Sequence, residues 1–223
     1  MNLDENNELK ITLDIEKNRE DLRKKLIVSV DPETAKDLDD ALSIELIEEG
    51  VYEVGVHIAD VSHFVKHGGY IDSEACKRSI SYYFPDRVFP MLPHILCDNL
   101  CSLNPGKNRL AFSIFFRMDG KGRRIMNFKP RLSKTIINSA CKLSYEAAKD
   151  IFDGKITSLE ELGPKYPIYN GFTFEELSSN LKMMNFVAQN RRKVRLEEGS
   201  IVFRNLEKKK FIFNKDQSKL LSW

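Results

Sequence analysis

Four aspartates fall close together in this chain, Asp31, Asp37, Asp39 and Asp40, around a loop that Pro32 initiates. In an extended segment Asp37 and Asp39 point one way and Asp40 the other, and a curved loop brings Asp31 round to face them. Like charges a few ångströms apart raise one another's pKa, so the cluster is costly unless a cation sits in it. A hard divalent ion with all-oxygen ligands is the usual solution, and Mg²⁺ takes one or two carboxylates, waters and phosphate oxygens. An EF-hand loop is ruled out, because its alternating aspartates, central glycine and closing glutamate are absent. A solvated acidic turn is the alternative reading of these residues alone. Their setting favours a site: Leu26 to Val30 leads in as an apolar run and Ala41-Leu42-Ser43-Ile44 leads out. Carboxylates between buried strands are held for a reason more often than those on a loop tip.

The elements that must position this loop are legible from periodicity. Leu26 to Val30 reads as a short strand entering the turn at Asp31-Pro32. Tyr52, Val54, Val56 and Ile58 alternate with Glu53, Gly55, His57 and Ala59, which predicts a half-buried strand with the first set inward. Leu110, Phe112, Ile114, Phe116 and Met118 alternate likewise, and Asp119-Gly120-Lys121-Gly122 predicts a hairpin turn with Arg123 to Phe128 returning. Tyr145 to Phe152 predicts a helix ending at Gly154. Thr173 and Glu176 have capping-box spacing ahead of Leu177, Leu181, Met184 and Ala188 on one helical face, and that helix should stop by Gly199. Ile201 to Phe203 and Phe211 to Phe213 read as two strands around a Lys208-Lys209-Lys210 turn, and residues 1–25 as a charged arm. No internal repeat interrupts this, so the expectation is one α+β domain with a mixed, largely antiparallel sheet and flanking helices.

Composition bounds the rest. With 223 residues, 42% apolar, and 14 Phe, 7 Tyr and one Trp at a net charge of +2, a wholly disordered chain is excluded. No apolar run approaches the ~20 residues of a membrane span. Four cysteines are too few for a disulfide framework, and Cys97 and Cys101 lack the paired Cys/His set of a zinc site, so a reducing, intracellular setting is expected. Residues 1–50 carry 15 Asp/Glu against 7 Lys/Arg, and residues 181–223 carry 11 Lys/Arg against 4 Asp/Glu. That asymmetry fits a metal site beside a polyanion track, or two solvated faces of opposite sign. Arg191-Arg192-Lys193-Val194-Arg195 either tracks phosphates or is a solvated helix face. His57, on the polar face of its strand, reads as structural, and His63 and His67 lie in a Gly-rich loop with no partner spacing. Asp60 either assists the acidic site from its strand end or caps a helix.

Asp31-Pro32 through Asp37-Leu38-Asp39-Asp40-Ala41 resembles the signature of the ribonuclease II/R (RNB) exoribonucleases. The resemblance continues through Val54 to Ser62, Tyr83 to Val88, Pro90 to Pro93, Leu100 to Gly106 and Leu110 to Ser113, several blocks in the family's order. Lys142-Leu143-Ser144-Tyr145-Glu146 resembles the eukaryotic exosome-independent, Dis-three-like branch. The resemblance implies metal-dependent 3′→5′ hydrolysis of single-stranded RNA to nucleoside 5′-monophosphates, with Mg²⁺ or alternatively Mn²⁺. It implies Asp31 and Asp40 as metal ligands joined by Asp37 and Asp39, with Asp39 the carboxylate most needed for the chemical step and Asp37 in support. Tyr83 resembles the tyrosine that stops the terminal nucleotide, Tyr145 one beside the scissile phosphate, and Phe203 a stacking phenylalanine. It further implies that residues 26–223 are the N-terminal portion of an RNB catalytic domain behind the 1–25 arm, without the phosphate-contacting arginine segment and flanking OB-type barrels. Expected partners are therefore single-stranded RNA and the second half of the domain or another RNA-decay protein, in the cytoplasm or the nucleus, with no membrane. A non-catalytic RNA-binding or regulatory module on the same fold is the rival reading.

Overall fold

The computed structural model describes residues 3–5, 8–84, 86–202, 212–213 and 220–222. Along the chain lie α1 (Leu13–Lys17), β1 (Glu20–Asp21), β2 (Val28–Asp31), β3 (Asp40–Glu48), β4 (Val51–Ala59), α2 (Tyr70–Arg78), β5 (Tyr82–Tyr83) and β6 (Val88–Phe89). There follow β7 (Asn108–Asp119), β8 (Arg131–Asn138), β9 (Cys141–Ser144), α3 (Tyr145–Phe152), α4 (Leu159–Leu162), α5 (Phe174–Glu197), β10 (Ile212–Phe213) and β11 (Leu220–Ser222). Seven strands form one mixed sheet in the order β1-β8-β7-β4-β3-β2-β9, with β1–β8 and β2–β9 parallel and the other pairs antiparallel. The α+β architecture is therefore as expected.

Only Ser139 and Ala140 separate β8 from β9, yet those strands stand far apart in the strand order. The Ala140 N–H donates to Ile27 O at 2.7 Å and the Leu22 N–H to Ile136 O at 2.8 Å. The segment from β1 to β2 thus runs beside the segment from β8 to β9, and the sheet curls until its two ends meet.

That curl explains where the alternation of β4 misleads. The face read as inward, Tyr52 to Ile58, lies half-buried under α5 or exposed, and Ile58 is 41% exposed. The buried face is Gly55, His57 and Ala59. Inside the curl, His57 Nε2 lies 2.9 Å from Ser43 Oγ, and its Nδ1 lies 2.7 Å from Ser113 Oγ, itself 2.7 Å from Thr135 Oγ1. All four side chains are buried, and the chain of hydrogen bonds satisfies polar groups that would otherwise be costly to desolvate. Gly55 leaves room for this line, since a Cβ there would lie 2.4 Å from Ser43 Oγ.

The helical signals hold. α3 has Ser144 as its N-cap, with Oγ accepting from the Ala147 N–H, and α5 carries the full Thr173/Glu176 capping box and ends before Gly199. Leu177 and Leu181 of α5 pack on Val28, Leu143 and Ile151. Two readings need correction. The partner of β7 is β8, not Arg123 to Phe128, which contributes a single bridge at Met118–Arg124. The returning segment pairs only beyond the reach of β8: the Asp119 N–H donates to Arg123 O and the Ile125 N–H to Arg117 O, while β8 holds that side of β7 from Asn108 to Phe115. Near the C-terminus, β10 pairs with β11 rather than with Ile201-Val202, which are not in a strand; Phe203 and Lys208 to Lys210 lie outside the described residues.

The arm is less separate than its charge suggests. Leu9 and Ile15 enter the main core, and β1 adds to the sheet edge. Arg19 Nη2 meets Asp60 Oδ2 at 2.5 Å with both side chains almost fully buried. Asp60 thus anchors the arm and accepts from Ser62 Oγ, rather than capping a helix through its side chain.

Candidate functional site

β2 ends at Asp31 and β3 begins at Asp40, so the acidic loop bridges two adjacent strands at one end of the sheet. Their only registered pair is Val28–Leu42, after which the strands diverge and leave space between the carboxylates. Leu38, 1% exposed, plugs into the core between Asp37 and Asp39 and leaves those two outside. The Asp39 carbonyl accepts from the Ala59 N–H at 2.9 Å, and the Leu38 carbonyl from the Leu103 N–H at 2.9 Å.

Asp31, Asp37 and Asp39 line a single cleft of about 680 Å³ together with Tyr83, Val88, His94, Cys97 and Asp98. Asp40 is not in that lining; it is exposed at the start of β3, paired with Ile58. Burial pushes the Asp31 carboxyl above its ordinary range and the Asp40 and Asp37 charges add to this, while the neighbouring Ser29 hydroxyl and then the Lys142 ammonium oppose it. The Asp39 carboxyl is also pushed up, by desolvation first and then by Asp37, Asp40 and Asp31. Buried Asp31 Oδ2 has no hydrogen-bond partner in the protein.

An orphaned buried oxygen and carboxylates that destabilise one another's charge are what an all-oxygen cation site looks like from the protein's side. Among the described residues no three His, Cys, Asp or Glu side chains converge closely enough, as they stand, to hold an ion between them. The donor set suits Mg²⁺, whose shell is completed largely by water and substrate oxygens.

Tyr83 reaches the cleft from the β5–β6 ribbon. Its hydroxyl donates to Asp37 Oδ2 at 2.7 Å, and this bond pushes the phenol up to about 12. The residue is 66% exposed. Tyr145 opens α3 directly after Ser144, which pairs with Asp31 across β2 and β9, so it emerges at the same sheet end and is 57% exposed. Tyr83, Asp31, Asp37 and Asp39 are thus brought together, with Tyr145 and Asp40 flanking them.

His57 is a buried core residue, and His67 lies on the surface near Asp72. Cys97, read from the sequence only as lacking the partners of a zinc site, lines the cleft, and so do His94 and Asp98, paired at 2.9 Å and not marked by the sequence reading. Their signal was the i, i+4 spacing of a histidine and an aspartate within an otherwise apolar turn. Lys142 was also missed as a supporting group; it is the one charged residue of a strand whose neighbours Cys141 and Leu143 are fully buried. A second large cavity, about 540 Å³ between the sheet and α5, is apolar and has no acidic lining residue. Among the described residues, no helix is long and apolar enough to cross a membrane.

A family model described as the RNB domain matches residues 19–222. DIS3-like exonuclease 2 of Schizosaccharomyces pombe is 41% identical over 193 residues, which are 86% of this chain and 20% of that protein. An Arabidopsis thaliana protein named inactive exonuclease DIS3L2 is 40% identical over 196 residues, 88% of this chain and 18% of that protein. The solved structure of Mycoplasma genitalium RNase R in complex with ribose-methylated single-stranded RNA matches with a TM-score of 0.80 at 27% identity, over 94% of this chain and 30% of that one. The chain therefore spans about a fifth of the length of these curated relatives.

Proposed function

Because the chain belongs to the RNB domain family, we propose that it takes part in shortening single-stranded RNA from the 3′ end, hydrolysing phosphodiester bonds with a divalent metal and releasing nucleoside 5′-monophosphates. The observation that carries this reading is the shared cleft: Asp31, Asp37 and Asp39 open onto one space with an exposed tyrosine ring at its wall. Asp31, Asp37, Asp39 and Asp40 are the residues to hold Mg²⁺ or Mn²⁺, which when bound offsets the charge of the reacting phosphate.

The chain's own residues then divide the work. Asp31 offers an oxygen that no protein donor claims. Tyr83 O–H orients the Asp37 carboxylate, and its ring presents a face to the terminal base, where stacking is worth ~1–3 kcal/mol whatever the base. Such sequence-blind contact suits an enzyme that removes one nucleotide after another. Tyr145 stands at the same sheet end to contact the backbone. Asp39 is the carboxylate the chemical step depends on most: water oxygen bonds to phosphorus, the bond to the 3′ oxygen breaks, and that oxygen leaves with a proton.

A 5′-labelled single-stranded RNA incubated with the protein in Mg²⁺ or EDTA tests the reading. A ladder shortening from the 3′ end only with metal supports it, and Asp39→Asn should abolish cleavage while RNA binding persists. A second reading, a non-catalytic RNA-binding module, is favoured by the 40% identity to a relative named inactive. Folded protein that binds RNA and leaves it uncut under every metal condition would establish that reading instead.

A further inference from the structure

The carboxylates of the cleft repel one another, so something other than their side chains must hold the loop that carries them. Two side chains from distant parts of the sequence do so, both through the loop's backbone. Ser102, 1% exposed, donates its Oγ–H to Lys36 O at 2.8 Å and accepts the Leu38 N–H at 3.0 Å. On the other flank, Lys142 Nζ donates to Ala35 O at 2.5 Å and to Glu33 O at 3.3 Å. The carbonyls at 33, 35 and 36 and the N–H at 38 are thereby engaged on either side of Asp37.

Lys142 is placed for this by the sheet. β9 runs parallel to β2 with Ser29 opposite Lys142 and Asp31 opposite Ser144, so the side chain rises beside the strand that delivers Asp31. Cys141 and Leu143 turn into the core on the other face and fix the strand. The ammonium's field at Asp31 opposes the repulsion from Asp40 and Asp37. An ammonium suits both tasks, being a compact charge with several rotatable donors that can serve two carbonyls at once. β9 is held by its own ladder with β2 and by the core packing of α3, so the lysine head group is not needed for the sheet to form.

We infer that Lys142 is a positioning residue of the acidic cleft, holding the Asp37–Asp39 loop by its backbone carbonyls and supplying a resident counter-charge beside Asp31. The inference rests on the metal-dependent reading above, and its test separates the two. Lys142→Met removes the charge and donors at similar length, Lys142→Gln keeps a shorter neutral donor, and Lys142→Arg keeps the charge. Mn²⁺ titration of the full chain without RNA, followed by electron paramagnetic resonance, should show ~10–100-fold weaker binding for the Met and Gln variants, the usual loss when an outer-shell partner is removed. Arg should recover most of it. Amide exchange at residues 35–38 should speed up in the Met variant while the melting temperature stays close to the parent's.

Unchanged Mn²⁺ affinity with unchanged exchange at 35–38 would overturn the assignment. So would a fall in melting temperature that tracks the loss of affinity across all three variants, which marks a merely structural lysine. If Asp39→Asn and the parent bind Mn²⁺ equally, or neither binds it, the metal reading is what fails, and the counter-charge role falls with it. Exchange at 35–38 then decides the backbone contact alone. Should Lys142→Met not fold, Lys142→Gln gives the same comparison.

Discussion

Lowering the pH from 7 to 5 should weaken this fold through one buried histidine. His57 is 0% exposed, its two ring nitrogens meet Ser43 and Ser113, and the Phe115 ring edge packs 5.7 Å from its centroid. Desolvation, with the Lys25 charge adding to it, lowers its pKa from 6.5 to about 4. The unfolded chain therefore takes up a proton near pH 6.5 that the folded protein refuses until about pH 4. Stability is fully present above 6.5 and is lost as pH falls through this window, because the state binding more protons gains as protons become abundant. The full gap corresponds to about 3 kcal/mol, of which about 2 kcal/mol is lost between pH 7 and pH 5, with a slope near 1.2 kcal/mol per pH unit at pH 5.5. That is a large share of the roughly 5–15 kcal/mol that holds an ordinary domain together. The raised carboxyls of Asp31 and Asp39 act against this trend, because the folded state binds their protons more readily, whereas His63 is also depressed by burial and adds to it. A His57→Gln variant isolates the effect. Urea unfolding at pH 5.0, 5.5, 6.0 and 7.0 should give a stability slope in the parent that exceeds the variant's by the His57 share, whatever the variant's stability at pH 7. Parallel pH profiles for the two proteins would refute the account of His57 as a neutral, desolvated core residue.

The Arg19–Asp60 pair ties the N-terminal arm to the sheet from within the core, so Arg19→Met strands a buried carboxylate and should cost about 3–5 kcal/mol in urea unfolding. Replacing both partners with apolar residues should recover much of that loss, and a single variant within 1 kcal/mol of the parent would show that the pair is not desolvated. Tyr83→Ala should weaken single-stranded RNA binding by about 1–3 kcal/mol, roughly 5–150-fold in fluorescence anisotropy. Tyr83→Phe should keep most of the affinity, because it loses only the hydrogen bond to Asp37; equal losses in both variants would place the tyrosine's contribution in its hydroxyl instead.

Local pattern carried far. The capping box at Thr173 and Glu176, the helix at Tyr145 to Phe152, the strands around the acidic loop and the long alternation ending at Met118 all appear where periodicity and turn chemistry put them. Such features depend on neighbours within a few residues. The return strand at Arg123 to Phe128 stops after one bridge because β8, from later in the chain, takes that side of β7 from Phe115 back to Asn108. The inward face of β4 inverts because alternation marks two faces without saying which is covered, and here a polar network fills one face while α5 lies over the other.

The sequence by itself determined that four aspartates sit on a loop between two strands, and it marked Tyr83 and Tyr145 by their resemblance to a family motif. Only the tertiary structure decided that Asp31, Asp37 and Asp39 share a cleft with Tyr83 while Asp40 lies at its flank, and that Asp60 belongs to the core. It alone decided that Ser102 and Lys142, more than sixty and a hundred residues away from the loop, hold its backbone. The reason is physical: carboxylate charge and strand periodicity are properties of short segments, whereas the contacts that offset the charge form only when the curled sheet brings β9 beside β2.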